Sequence, residues 1–169
     1  MQIISKEKME RWDPEVPLMF IDYILEKKLA SYGSSKDQSR IRKYLDDILE
    51  KVAIPKLTDA LESEDEEERL SVSERLVEVS KNNADKVKPV LKFLEKTMKK
   101  EKSKDIKENL EKVIKNHEKL LKRKERAERR KKMRQLDQDL VAGKISAEEY
   151  GKARKEYLQD GDDSEEDET

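Results

Sequence analysis

The chain has 169 residues, 47% charged and 34% hydrophobic, so its core must be narrow and assembled from stripes on helices with charged outer faces. Four Gly and four Pro are too few for the punctuation of an all-β fold. The absence of cysteine excludes disulfides, thiolate metal sites and thiol catalysis, and fits a reducing cytosol.

The formal net charge of −1 hides a segregated distribution. Residues 115–134 carry eleven Lys/Arg against three Glu, residues 160–169 carry seven acids and no base, and the rest holds 28 bases against 30 acids. Functional electrostatics are therefore expected in the C-terminal third. No apolar run approaches the ~20 residues of a membrane span, and the N-terminus lacks a signal-peptide core. The expectation is a soluble, cytoplasmic, all-α protein with one compact domain plus appendages.

The first segment, 1–15, places Ile4, Met9 and Trp12 at helical spacing and stops at Asp13-Pro14. Trp12 could anchor a partner, but packing onto the first repeat is the plainer expectation. With Pro17 in its first turn, Leu18 to Ser31 predicts a helix with Phe20, Ile21, Ile24, Leu25 and Leu29 on its apolar face. Gly33 suits a helix end, and Ser35 with Gln38 fits a capping box for the next helix. That helix shows the stripe Ile41, Tyr44, Leu45, Ile48, Leu49 and Val52.

A motif then appears twice, 34 residues apart: Pro55, Leu57, Val72, Leu76 and Val79 answer to Pro89, Leu91, Ile106, Leu110 and Val113. Each copy reads as two amphipathic helices that cannot bury their faces alone and must stack. In the first copy Ile54, Leu57 and Leu61 face inward on a short helix, and six acids in Glu62–Glu68 form a turn. These carboxylates suit the N-terminus of the following helix and lack the alternating spacing and central Gly of a calcium loop. The second copy adds Val87, Val90, Leu94 and Met98, and His117 falls on its last apolar stripe with Leu120. A lone histidine so placed is read as packing at the core edge.

The proline, acidic turn and Arg69 with Val72, Leu76 and Val79 resemble a HEAT/armadillo-like unit. Ser103 stands in the second copy where Arg69 stands in the first. The resemblance covers residues 16–121 and implies a short right-handed stack of antiparallel helix pairs, a protein-binding scaffold without an active site.

Beyond Leu121 the stripe fades into a basic helical connector over residues 122–132. Lys122, Arg123, Lys124, Arg126, Arg129, Arg130, Lys131, Lys132 and Arg134 are candidate contacts to RNA, the ribosome or DNA. They lie on every face, and no aromatic interleaves them for base stacking. A solvated connector with Glu–Arg pairs is the competing reading.

From Met133 the apolar pattern resumes with Leu136, Leu140 and Val141, and Gly143 closes the helix. Ser146 and Glu149 form a capping box, and Ile145 with Tyr150 a hydrophobic staple. Residues 133–158 resemble a SHOCT motif on Leu136, Leu140, Gly143, Ile145, Ser146, Glu148, Glu149, Tyr150, Arg154 and Leu158. Tyr150 and Tyr157 depart from the usual Phe and Leu. The resemblance implies self-association or partner docking through Leu136, Leu140, Ile145, Tyr150, Tyr157 and Leu158. Residues 159–169 form an acidic tail expected to be disordered, with weak fold-back onto the basic helix as an alternative to an inert role.

No Gly-rich phosphate loop, serine elbow or histidine metal pair occurs. The sequence therefore predicts a non-catalytic interaction protein with no cofactor or metal. Its partners would be another protein or a second copy, and RNA, ribosome or DNA contact through the basic helix is the alternative.

Overall fold

A computed structural model describes residues 6–9 and 11–159, with side chains at 8, 9 and 11–157. Ile4 and the tail beyond Gln159 lie outside the described residues. The fold is helical, with no strand among the described residues. Its α-helices are α1 Lys6–Met9, α2 Val16–Glu26, α3 Ser35–Ile48, α4 Ile54–Ala60, α5 Glu66–Asn82, α6 Leu91–Lys100, α7 Lys104–Val141 and α8 Ala147–Gln159. Two compact units divide between Leu120 and Leu121, within α7.

The core of the first unit gathers Met9, Leu18 and Ile21 with Leu45, Ile48, Val52, Leu57, Val72 and Leu76, and with Leu94, Ile106, Leu110 and Val113. Both copies of the 34-residue motif thus direct their matched leucines, valines and isoleucines into shared apolar space, apart from the half-buried Leu91. Trp12 packs inward, its ring 6.0 Å from Phe20, while Lys56 Nζ donates to the Trp12 carbonyl at 2.7 Å.

Three local expectations change. The helix expected over Leu18–Ser31 ends at Glu26, because Lys28 takes a left-handed conformation (φ 53°) and Leu29–Ser31 form a 3₁₀ turn. Leu29 thereby leaves the helical register, and Leu25 and Leu29 are exposed at 53% and 37% instead of joining the apolar face. The cap of α3 is Ser34 with Asp37, one residue before the expected pair. Asp37 N–H donates to Ser34 Oγ, and Ser34 N–H donates to Asp37 Oδ2. Gln38 instead donates to the Ser31 and Gly33 carbonyls at 3.0 and 3.3 Å.

The short helix expected at Ile54 is also not separate. A π-helical turn, Leu49–Ala53, joins α3 to α4 without a break. Proline inside a helix lacks a donor and crowds the carbonyl four residues back. The widened turn directly before Pro55 absorbs that conflict and keeps the chain helical.

Polar groups inside the first unit are matched in pairs that join helices. Asn109 Nδ2 donates to Ser73 Oγ at 3.0 Å and Asn116 Nδ2 to Ser80 Oγ at 2.8 Å. Each serine hydroxyl returns its own proton to a carbonyl of α5, Leu70 or Val77, at 2.8 Å. Both serines are fully buried. The two bonds recur two helical turns apart and fix the register of α5 against α7, since a slip of one turn would strand buried hydroxyl lone pairs.

Arg69 forms the second tie. Its Nε and Nη2 reach both oxygens of Glu101 at 2.9 and 3.4 Å, and Nη1 donates to the carbonyls of Ser63 and Glu64 at 2.8 and 3.0 Å. Glu101 also accepts the backbone N–H of Lys102 and Ser103 at 2.7 and 3.0 Å, just before α7 begins. Burial acts to raise the Glu101 carboxyl, but the Arg69 bond and these two donors outweigh it and hold the group below its ordinary 4.5.

A depressed carboxyl contributes its full stability above pH 4.5 and loses it as pH falls through the lowered value. In urea titrations Glu101→Gln should cost about 2 kcal/mol at neutral pH. The difference from wild type should shrink below pH 4.5. An undiminished difference in acid would contradict this origin. Asn109→Ala and Asn116→Ala should each cost about 1 kcal/mol in the same titration, with near-additive loss in the double variant because the sites share no partner. A neutral double variant would mean that the pairs do not set register.

Candidate nucleic-acid interface and docking face

Residues 121–134 of α7 are exposed except for the half-buried Arg129 and Met133. Arg, Lys and Glu are good helix formers, so the segment holds helical form without a buried stripe. At 100° per residue, Arg123, Arg126, Arg130 and Arg134 fall within an arc of about 80° and span about 16 Å of axis. These four arginines line a shallow groove with Ala127 and Lys131. None of them has an ion-pair partner among the described residues.

Glu125 and Glu128 sit on the far side of the helix and take their own cations. Arg129 Nη2 lies 2.9 Å from Glu125, and Lys131 Nζ lies 2.8 Å from Glu128. The Glu128 bond raises Lys131 above its ordinary value. Of the nine candidate contacts, the structure thus sorts four arginines onto one face. It commits Arg129 and Lys131 to glutamates and leaves Lys122, Lys124 and Lys132 off the arc.

Helix α7 ends in a paired backbone turn. Gly143 takes φ +67°, Lys144 N–H donates to the Asp139 carbonyl at 2.8 Å, and Gly143 N–H donates to Leu140 at 3.0 Å. This is the hydrogen-bond pattern of a Schellman end, which requires a left-handed residue and so favours glycine. Three residues later the capping box forms as the sequence predicts. Ser146 N–H donates to Glu149 Oε2 at 2.8 Å and Glu149 N–H to Ser146 Oγ at 3.2 Å.

Helix α8 is tied back to α7 by Tyr150, whose hydroxyl donates to Asp137 Oδ1 at 2.8 Å. The Arg154 guanidinium lies 6.0 Å from the centroid of the Tyr150 ring. Leu136, Leu140, Ile145, Tyr150 and Tyr157 are all half-buried. The Leu158 side chain lies outside the described residues, as does the acidic tail.

His117 is buried, with Nδ1 2.7 Å from the Ala84 carbonyl. A carbonyl only accepts, so this nitrogen carries the hydrogen and the ring joins α7 to the end of α5. No described group of His, Asp and Glu side chains has metal-holding geometry. Within the acidic turn, Asp65 caps α5, its Oδ1 accepting the Glu67 N–H at 2.9 Å. No described helix is long and apolar enough to cross a membrane.

Met19, Tyr23, Leu25, Leu29 and Tyr32 are exposed around α2 and the turn after it. Met19 and Tyr23, one turn apart, share an edge of α2 that the apolar face Phe20, Ile21 and Ile24 leaves outside, and the break at Lys28 takes Leu29 out of the helical register. Protein-family models, curated proteins and solved structures offer no match to the chain.

The Asp137 contact raises the Tyr150 phenol above its ordinary 10.0. Subtracting an alkaline absorbance titration of Tyr150→Phe from that of wild type should isolate a transition above pH 10.0, and Asp137→Asn should lower it. An unchanged transition in Asp137→Asn would show that the contact does not form in solution.

Proposed function

We propose that the chain is a non-catalytic interaction protein, in which a HEAT-like helical module is joined through the basic stretch of α7 to a C-terminal hairpin for docking or self-association. The observation that carries this reading is the division of labour among side chains. Arg69, Glu101, Ser73, Ser80, Asn109, Asn116 and His117 are each engaged in joining segments of the first unit. No buried side-chain polar atom among the described residues lacks a partner. Groups so occupied are not available as acids, bases or ligands without dismantling the packing.

Outside that core, Leu136, Leu140, Ile145, Tyr150 and Tyr157 remain half exposed on a pair of helices too small to bury an apolar face by itself. Half-buried aromatic and aliphatic side chains beside a fixed backbone turn are what an interface anchor requires. A second copy of the same pair is the simplest occupant, because a self-complementary patch closes as a twofold dimer.

Sedimentation equilibrium compares the full chain with one ending at Lys132. The full chain should show concentration-dependent dimerisation that the shorter chain lacks. Equal monomeric masses for both, together with equal capture of partners, would remove docking from the reading.

A further inference from the structure

We propose that Arg123, Arg126, Arg130 and Arg134 form a binding ridge for the phosphate backbone of a nucleic acid, read without base contacts. The inference does not depend on docking through α8, and it rests on how charge is sorted around one helix. A merely solvated basic connector would scatter its cations and neutralise them with neighbouring glutamates. Here the glutamates engage Arg129 and Lys131, while the four arginines share one exposed arc with no acidic partner among the described residues.

The steps from Arg123 to Arg134 are three, four and four residues. Successive arginines are therefore set about 4.5 to 6 Å apart along the axis, a near-regular row of cations along a line. A polymer with an anionic group at every repeat can engage such a row at several points. All four positions are arginine, whose planar fork can bond phosphate oxygens in pairs, where a lysine offers a point charge. Ala127 leaves the floor between the forks open.

The surroundings narrow the partner's chemistry. No aromatic residue stands among the four arginines, so no ring platform stacks on an unpaired base and the backbone is the natural contact. A membrane surface would need apolar side chains beside the cations to enter the headgroup layer. Between Arg123 and Arg134 the only apolar residues are Ala127 and the half-buried Met133. The shared ligand is therefore the phosphodiester backbone, from RNA or DNA.

Fluorescence anisotropy of the full chain with labelled oligouridine and with a DNA strand of the same length tests the ridge. Binding should be evident at about 50 mM salt and fall with a log–log slope near −3 for a single strand if all four arginines engage. Arg126→Gln/Arg130→Gln should reduce affinity by roughly tenfold or more and lower the slope by about 1.4. Lys124→Gln/Lys132→Gln removes the same charge off the arc and should change affinity less than threefold. Glutamine keeps helix propensity, and far-ultraviolet circular dichroism verifies that both variants fold. Tighter binding of one polymer assigns the source, and similar binding assigns the backbone alone. Equal loss in the two double variants would overturn the ridge, as would no binding by wild type at low salt. So would equal or tighter binding of polyglutamate or of phosphatidylserine vesicles.

Discussion

The Glu101 side chain, 5% exposed just before α7, loses most of its hydration, and several donors converge on it to hold its charge. The Arg69 fork supplies two, and the backbone of Lys102 and Ser103 supplies two more. Arg69 in turn spends its remaining nitrogen on the Ser63 and Glu64 carbonyls. One ion pair therefore fixes the turn before α5, the first turn of α5 and the link from α6 to α7. A largely desolvated pair of this kind adds little net stability compared with an apolar substitute, yet is costly to break singly. Its contribution is specificity: α7 has one starting point against α5, and the Ser73–Asn109 and Ser80–Asn116 bonds then hold that register further along.

The features legible in the sequence were those written in local code. A capping box at Ser146 and Glu149 depends on residues three apart, and Gly143 on one left-handed backbone position; neither needs tertiary help. The stripe from Ile41 to Val52 and the leucines and valines of the 34-residue motif were legible for the same reason, since helical periodicity exposes the buried face. The misreadings arose where two local signals competed. Ser34 and Ser35 both offer a cap, and Asp37, able to reciprocate with a carboxylate, selects Ser34. Pro55 signals a helix start, but a π-helical turn lets the chain pass through it. Lys28 carries no sequence mark of its left-handed conformation, so the exposure of Leu29 was not readable.

The pairings of Arg69 and Asn109 were not legible either, because each joins residues more than thirty positions apart. Composition showed many carboxylates and cations without showing which would be spent inside. The basic helix illustrates the same limit in reverse. Counting charges places cations on every face; helical geometry gathers four arginines on one arc, and Glu125 and Glu128 pair with Arg129 and Lys131 rather than with them. Net charge was informative about where to look, and geometry about which side carries a row of arginines unpaired among the described residues.

This distinction bears on how a chain that is 47% charged can have specific electrostatics at all. Exposed ion pairs contribute little to stability, and charges further apart than about 8 Å are screened at physiological salt. The glutamates of α7 therefore have small stabilising value through their pairs. Their larger effect is positional: by holding Glu125 and Glu128 away from the arginine arc, the sequence keeps each of the four cations within a Debye length of its neighbour along the row, with no anion of that helical stretch among them. The field over the arc is then the sum of like charges held by backbone geometry, not by packing. Helix propensity maintains that spacing, which is why a segment with almost no buried surface can still hold an ordered row of cations.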